Sequence, residues 1–232
     1  MNIRTLHMIE GAREARGIAV IIDVFRAFST EAYLVARGAK KVIPVGEESL
    51  ARRLKAETPD VILAGERRGK ILPGFDMGNS PAQAEALDVV GKTVIHTTSA
   101  GTQGIANAIH ADEILGGSLV TARAIADYIR TSGATEVSLV AMGLDAVSET
   151  EEDTLCADYI RALLEGRELD MESEVEKLKT TSGAKFFDPA QSDVFPEADF
   201  HMCVAVDKFD FVLRLVKPED SLPYMEAVRP LR

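Results

Sequence analysis

Five consecutive apolar residues, Ile18-Ala19-Val20-Ile21-Ile22, stop on a charge, and the chain continues Asp23-Val24-Phe25-Arg26-Ala27-Phe28-Ser29-Thr30. A strand with no polar side leaves neither face for water, so it belongs inside a sheet covered on both sides. Parallel sheets place ligand sites just beyond the carboxyl ends of their strands. The acid, the guanidinium and the two hydroxyls after Ile22 therefore read as one wall of a site. Short apolar runs alternate with helical patterns along the chain, which predicts an α/β fold with a mostly parallel sheet.

The expected strands are Ile18–Ile22, Lys41–Val45, Val61–Ala64, Thr93–His96, Glu113–Leu115 and Val137–Ala141, with a late strand at Phe209–Val216 expected at an edge. Helices are expected over Thr30–Arg37, stopping at Gly38, and over Glu47–Ala56, stopping before Pro59. Ser80-Pro81 has the form of an N-cap followed by proline at the first helical position, opening a helix to Leu87. Gly101–Ile109, Thr121–Arg130 and Glu151–Glu165 follow, the last introduced by the capping-box pattern Ser148-Glu149-Thr150-Glu151 and ended by Gly166. Arg167–Thr180 reads as a solvated helix with flanking loops, and the residues after about 182 as a closing cap. The order glycine, strand, polar loop, helix, strand, glycine runs from Gly17 to Gly46 and again from Gly91 to Gly117. This echo is either a duplication, with halves 1–90 and 91–232, or the ordinary rhythm of a single α/β domain over 1–232.

A chain of 232 residues buries roughly 70–75% of its unfolded surface. Its net charge of −11 disfavours general binding to nucleic acid or to an anionic membrane, although a local basic pocket can still hold a small anion. Cys156 and Cys203 lie in no metal-binding spacing and read as reduced core thiols. No signal-peptide pattern and no apolar run of membrane-spanning length occurs, so a cytoplasmic enzyme is expected.

Several loops after strands carry chemistry. Asp23 can bind a hard cation, act as a base or attack phosphorus; Arg26 offers a planar fork to an oxyanion, and Ser29 and Thr30 can donate at a helix start. The bland alternative is a capping hydroxyl with a structural Asp–Arg pair. Ala64-Gly65-Glu66-Arg67-Arg68-Gly69-Lys70 joins a candidate ligand, Glu66, to the densest basic cluster in the chain. In Pro73-Gly74-Phe75-Asp76-Met77-Gly78-Asn79-Ser80-Pro81, two glycines bracket an acid, and Asp76 and Asn79 can orient oxygen ligands. Thr97-Thr98-Ser99-Ala100-Gly101-Thr102 enters a helix N-terminus and has the form of a phosphate cradle without a Walker ending. His96 just before it is a candidate general acid or a core histidine. Gly116-Gly117-Ser118 is either a donor turn or a plain one. Asp153 shares a helix face with Cys156, Ile160 and Leu163, so it is expected to be buried and either paired or functional, while Glu149, Glu151 and Glu152 are expected in solvent. No GxGxxG pattern marks a strand–helix junction.

Taken in order, these words resemble the 2-phosphosulfolactate phosphatase family. The resemblance is carried by Asp23-Val24-Phe25-Arg26-Ala27-Phe28-Ser29-Thr30, Gly38-Ala39-Lys40-Lys41-Val42-Ile43-Pro44-Val45, Gly65-Glu66-Arg67 with Gly69, and Gly74-Phe75-Asp76-Met77-Gly78-Asn79-Ser80-Pro81. Thr97-Thr98 with Gly101-Thr102, Gly117-Ser118, Glu152-Asp153 with Leu155-Cys156-Ala157, and Asp199-Phe200 with Cys203 complete it. It implies a three-layer α/β/α architecture with a mostly parallel or mixed sheet, and Mg²⁺-dependent hydrolysis of 2-phospho-3-sulfolactate on the route to coenzyme M. The family tends to have asparagine where this chain has Ala100 and Thr121, and glycine where it has Asp158.

On this reading Asp23, Glu66, Asp76 and Asp153 include the Mg²⁺ ligands, with Asp23, Arg26, Asp76 and Asp153 as the catalytic set. Arg26, Ser29, Thr30, Arg67, Asn79, Thr97, Thr98, Gly101, Thr102 and Ser118 would hold the substrate. The nucleophile is a metal-activated water, or alternatively Asp23 through a phospho-aspartyl intermediate. Expected partners are a small anionic phosphoester and, as an open choice, a second copy in a homodimer; nucleic acid and membrane are not expected. The competing functions are a non-catalytic phospho-metabolite-binding domain and a phosphatase for another phosphorylated hydroxy acid or sugar.

Overall fold

A computed structural model describes residues 1–230. Its strands are β1 (Asn2–His7), β2 (Ile18–Ile22), β3 (Lys41–Pro44), β4 (Ile62–Arg67), β5 (Lys70–Ile71), β6 (Thr93–Thr97), β7 (Glu113–Gly117), β8 (Glu136–Ala141), β9 (Val212–Val216) and β10 (Tyr224–Val228). Its helices are α1 (Met8–Glu14), α2 (Ala27–Ala36), α3 (Glu48–Glu57), α4 (Pro81–Ala86), α5 (Gly101–Asn107), α6 (Ala122–Ser132), α7 (Glu151–Glu165), α8 (Met171–Leu178) and α9 (Glu197–Cys203). The strands form one mixed sheet in the order β1-β8-β2-β7-β9-β10-β3-β6-β4-β5.

Two parallel blocks make up this sheet. β1, β8, β2 and β7 run together, and so do β3, β6 and β4. The β9–β10 hairpin lies between them and is antiparallel to each neighbour, so the blocks run in opposite directions. The expected late strand is therefore an interior one: β9 pairs with β7 on one side and β10 on the other. Each block takes strands from both sides of residue 90, so a division into 1–90 and 91–232 does not separate them. Natural sheet twist of about 20–25° per strand pair, summed over the five steps from β2 to β6, turns the blocks toward each other by roughly 100–125°.

The apolar pattern of the strands places helices on both faces. Ala19 and Ile21 of β2 join one cluster with Ala12 of α1, Phe28 of α2, Ala84 of α4 and Ile105 of α5. Ile18, Val20 and Ile22 join a second with Ile125 and Ile129 of α6 and Cys156 and Ile160 of α7. Val42, Ile62 and Val94 from the other block return to the first cluster, while Leu63 and Ile95 pack with Ala51 and Leu54 of α3. One helical layer, α1, α2, α4 and α5, is thus shared by both blocks. Each fully buried isoleucine of α6 contributes roughly 1.5–3 kcal/mol to this packing.

Helix ends follow the local chemistry in part. Ser80 caps α4 by accepting from the Gln83 amide at 3.2 Å, with Pro81 in the first turn. Gly166 ends α7 in the left-handed region, φ 70°. The expected capping box before α7 does not form: Thr150 is the N-cap, and its side chain makes no capping bond. Gly101, at the start of α5, faces the start of α2 so closely that a Cβ would lie 2.8 Å from that of Ala27 and 3.0 Å from Asp23 Oδ2. Only glycine permits this approach of the two helices.

Candidate active site

A crevice of about 320 Å³ opens among the carboxyl ends of both blocks. Asp23, Phe25 and Arg26 reach it from the turn after β2, Glu66 and Arg68 from the β4–β5 hairpin, and Ser99 and Ala100 from the turn after β6. Gly143, Leu144 and Asp145 enter from the loop after β8, Glu152 and Asp153 from α7, and Lys185 and Phe195 from the closing segment. A larger depression, about 730 Å³, lies at the amino ends of β2, β7 and β8, where turn residues such as Gly17, Asp112 and Gly133 line it. Of the two, the crevice is the one that gathers buried acids from several strand ends.

Backbone amides from distant segments fix these acids. Asp23 Oδ1 accepts from the Ala27 amide at 3.0 Å and Oδ2 from the Gly101 amide at 2.8 Å. Asp153 Oδ1 accepts from Val24 at 2.8 Å and Oδ2 from Gly143 at 2.8 Å. Glu66 Oε1 accepts from Ser99 N at 2.7 Å, and Oε2 from Gly69 N at 2.7 Å and Ser99 Oγ at 3.2 Å. Glu152 is buried as well, and its Oε2 has no partner. The solvent position expected for Glu152 is thus corrected. It lies in the first turn of α7, where the entry from the Gly143 loop turns it inward beside Asp153.

Burial pushes the Asp23 carboxyl up to about 6; the Ala27 and Gly101 amides oppose this, and the charges of Glu66 and Glu152 add to it. Burial also raises Asp153, helped by Glu152 and Asp23. Glu152 is raised by burial against the pull of Ser182 and Lys185. Buried carboxylates that raise one another in this way mark a site with uncompensated negative charge. Among the described residues, no three His, Cys, Asp or Glu side chains are gathered as a ready metal cage. The donor set still suits Mg²⁺, which commonly takes one or two carboxylates and fills its remaining positions with water and phosphate oxygens.

Asp76 stands apart from this group. Its Oδ2 accepts from the Leu63 amide at 2.7 Å and from Lys55 Nζ at 3.2 Å, on the α3 side of β4. Adjacency to Asn79 in sequence does not carry it into the crevice, because the chain turns between them; Asn79 lines the crevice with an unpartnered Oδ1. Arg26 does line the crevice, but its charge is paired with Asp199 at 2.6 Å, and two further donors go to the carbonyls of Val194 and Gly69. Arg67 lies outside, donating to the carbonyls of Glu66 and Gly46 and to Thr97 Oγ1.

The hydroxyl-rich turn is an anion cradle, but the anions it holds are the protein's own. Gly101 N binds Asp23 and Ser99 N binds Glu66, while Thr98 and Thr102 exchange hydrogen bonds between side chain and backbone. The expected phosphoryl role of Thr97, Thr98, Gly101 and Thr102 gives way to a scaffolding one. Ser29 Oγ donates to the Val24 carbonyl at 2.8 Å, and Thr30 Oγ1 and Ser118 Oγ are buried without partners outside the crevice lining. His96 is fully buried against Glu31, Nδ1 to Oε1 2.8 Å, and takes the core alternative.

Sequence reasoning missed Glu152, Asp145 and Lys185 as lining groups. The pair Glu152-Asp153 was visible only as a word, and Lys185 comes from a segment without helical or strand period.

The family model described as 2-phosphosulpholactate phosphatase matches residues 3–218. The chain belongs to this family. Its relatives include proteins named "Probable 2-phosphosulfolactate phosphatase" from Bacillus subtilis (strain 168), 29% identical over 91% of this chain and 92% of the relative. Another from Caldanaerobacter subterraneus subsp. tengcongensis is 32% identical over 84% and 86% of the two chains. A third from Carboxydothermus hydrogenoformans is 38% identical over 71% and 68%. Membership in the 2-phosphosulfolactate phosphatase family makes the protein a phosphoric monoester hydrolase. No described helix is long and apolar enough to cross a membrane.

Proposed function

We propose that this crevice hydrolyses 2-phospho-3-sulfolactate to 3-sulfolactate and inorganic phosphate with the help of Mg²⁺, on the route to coenzyme M in the cytoplasm. The observation that carries the reading is the convergence of Asp23, Glu66, Glu152 and Asp153 at the carboxyl ends of two oppositely directed blocks. Asp23 and Asp153 are the residues that would hold the cation, with Glu152 beside Asp153 and Glu66 at the opposite wall. When bound, Mg²⁺ would offset charge on the phosphoryl oxygens and make a bound water more acidic. The free, buried Cys156 and Cys203 are consistent with a reducing compartment.

The chain's own groups suggest the rest. Asp23 is held in one orientation by two amides, which positions it, when ionised, to take a proton from the attacking water. Those same amides draw charge from both its oxygens, which favours water over Asp23 as nucleophile. Water oxygen bonds to phosphorus, the ester oxygen leaves with the electron pair of the broken P–O bond, and a proton returns to it.

Incubating the purified chain with 2-phospho-3-sulfolactate is expected to release phosphate with Mg²⁺ present and to stop with chelator. Asp23→Asn is expected to lower kcat at least about 100-fold with the fold retained. Metal-insensitive turnover, or near wild-type rates for the variant, would refute the reading. One observation favours a second reading, a phosphatase for another phosphorylated hydroxy acid. Ala100 lines the crevice where the family tends to carry asparagine, so one carboxamide is missing from its wall.

A further inference from the structure

The crevice is short of unpaired cations. Arg26 is neutralised by Asp199, and Arg67 points elsewhere. Two remaining cationic side chains, Arg68 and Lys185, line the space, and among the described residues neither forms an ion pair. They differ in setting. Arg68 is exposed, on a turn with φ 53°. Lys185 is half-buried, and its ammonium lies 5.8, 5.6 and 5.2 Å from the ring centroids of Phe25, Phe186 and Phe195. Those rings stabilise the ammonium through their faces and exclude water around it. An ammonium held in this way keeps N–H donors for a ligand in the crevice, where reduced solvent strengthens an ionic contact.

The substrate proposed above carries two anions besides the phosphoryl group, a carboxylate and a sulfonate. The carboxylates of the protein occupy the phosphoryl end and would repel both. A flat carboxylate matches the fork of an arginine. A sulfonate, with its charge spread over three oxygens, suits a single ammonium seated in an aromatic wall.

We propose that Lys185, seated among Phe25, Phe186 and Phe195, is the specificity-determining residue that binds the substrate's sulfonate. This rests on the phosphatase reading. Lys185 also moderates the charge of Glu152, so removing it disturbs the phosphoryl end for every substrate. The sulfonate contact is isolated by a ratio in which that shared effect cancels.

The test compares kcat/KM for 2-phospho-3-sulfolactate and 2-phospholactate, which lacks the sulfonate, in wild type and in Lys185→Met. The preference for the sulfonated substrate is expected to fall about 10- to 100-fold in the variant, the worth of one charged hydrogen bond. A preference that changes less than about threefold overturns the proposal, since Lys185 would then serve both substrates alike. If wild type hydrolyses neither compound, the phosphatase reading fails, and calorimetry decides about Lys185 separately. Binding of 3-sulfolactate at least about tenfold weaker in Lys185→Met than in wild type supports it; equal affinities, or no binding by wild type, overturn it.

Discussion

Asp23 shows how a single side chain can be both well hydrogen-bonded and electrostatically unhappy. Two amides hold it, yet burial and the nearby charges of Glu66 and Glu152 bring its carboxyl to about 6, above the ordinary 3.8. The folded protein therefore holds a proton that the unfolded chain has released between those two values. Stability contributed by Asp23 is fully present below about 3.8 and is lost as pH rises through about 6. Glu152 and Asp153 shift in the same direction. Metal-free protein is thus expected to resist urea better at pH 5 than at pH 7, by about 1 kcal/mol from Asp23 alone, and added Mg²⁺ should shrink the difference. A steady loss of stability from pH 7 to pH 5 in chelator would contradict this. Asp76 gives the opposite case. It sits outside the crevice and its ion pair with Lys55 is exposed, so Asp76→Asn should keep kcat within about threefold and cost less than about 1 kcal/mol. A collapse of turnover in that variant would put Asp76 back into the chemistry.

At the scale of elements, the start of α5 against the start of α2 decides whether the site exists. Gly101 supplies the amide that holds Asp23, and a methyl group there would meet Ala27 and Asp23 itself. Gly101→Ala is expected to destabilise by about 1–3 kcal/mol and to lower kcat by at least tenfold, measured by urea unfolding and phosphate release. Wild-type kinetics would show that α5 can shift without cost. The strands and helices that frame this contact were legible because their patterns are strong: β2 is wholly apolar, and α7 runs from an acidic first turn to Gly166. β1 escaped notice because Arg4 and Thr5 break its apolar character at a half-buried edge, and β10 because Glu226 interrupts a short run after Pro223. Asp23, Glu66 and Asp153 were legible because each follows or faces a buried strand end. Lys185 was not, since its place depends on aromatic packing in an aperiodic segment. Asp76 was misplaced because closeness in sequence to Asn79 said nothing about the turn between them.

At the scale of the molecule, the β9–β10 hairpin joins two blocks that otherwise meet through their shared helices. Met225 of β10 is buried and sits opposite Val42 of one block's first strand and Leu215 of β9. Met225→Asp places a charge in this seam and is expected to cost more than about 3 kcal/mol, with activity lost in proportion to the folded fraction, although no crevice residue is changed. An unaltered urea midpoint would mean that the seam is dispensable. The same hairpin follows every other strand in the sequence, while the strands of each block are drawn from segments far apart along the chain. Neither block is a contiguous stretch that a growing polypeptide could complete early. Among these strands the central pair is the last to be synthesised, so the high contact order of this topology favours slow folding and leaves β7 and β3 as open edges until β9 and β10 have been made.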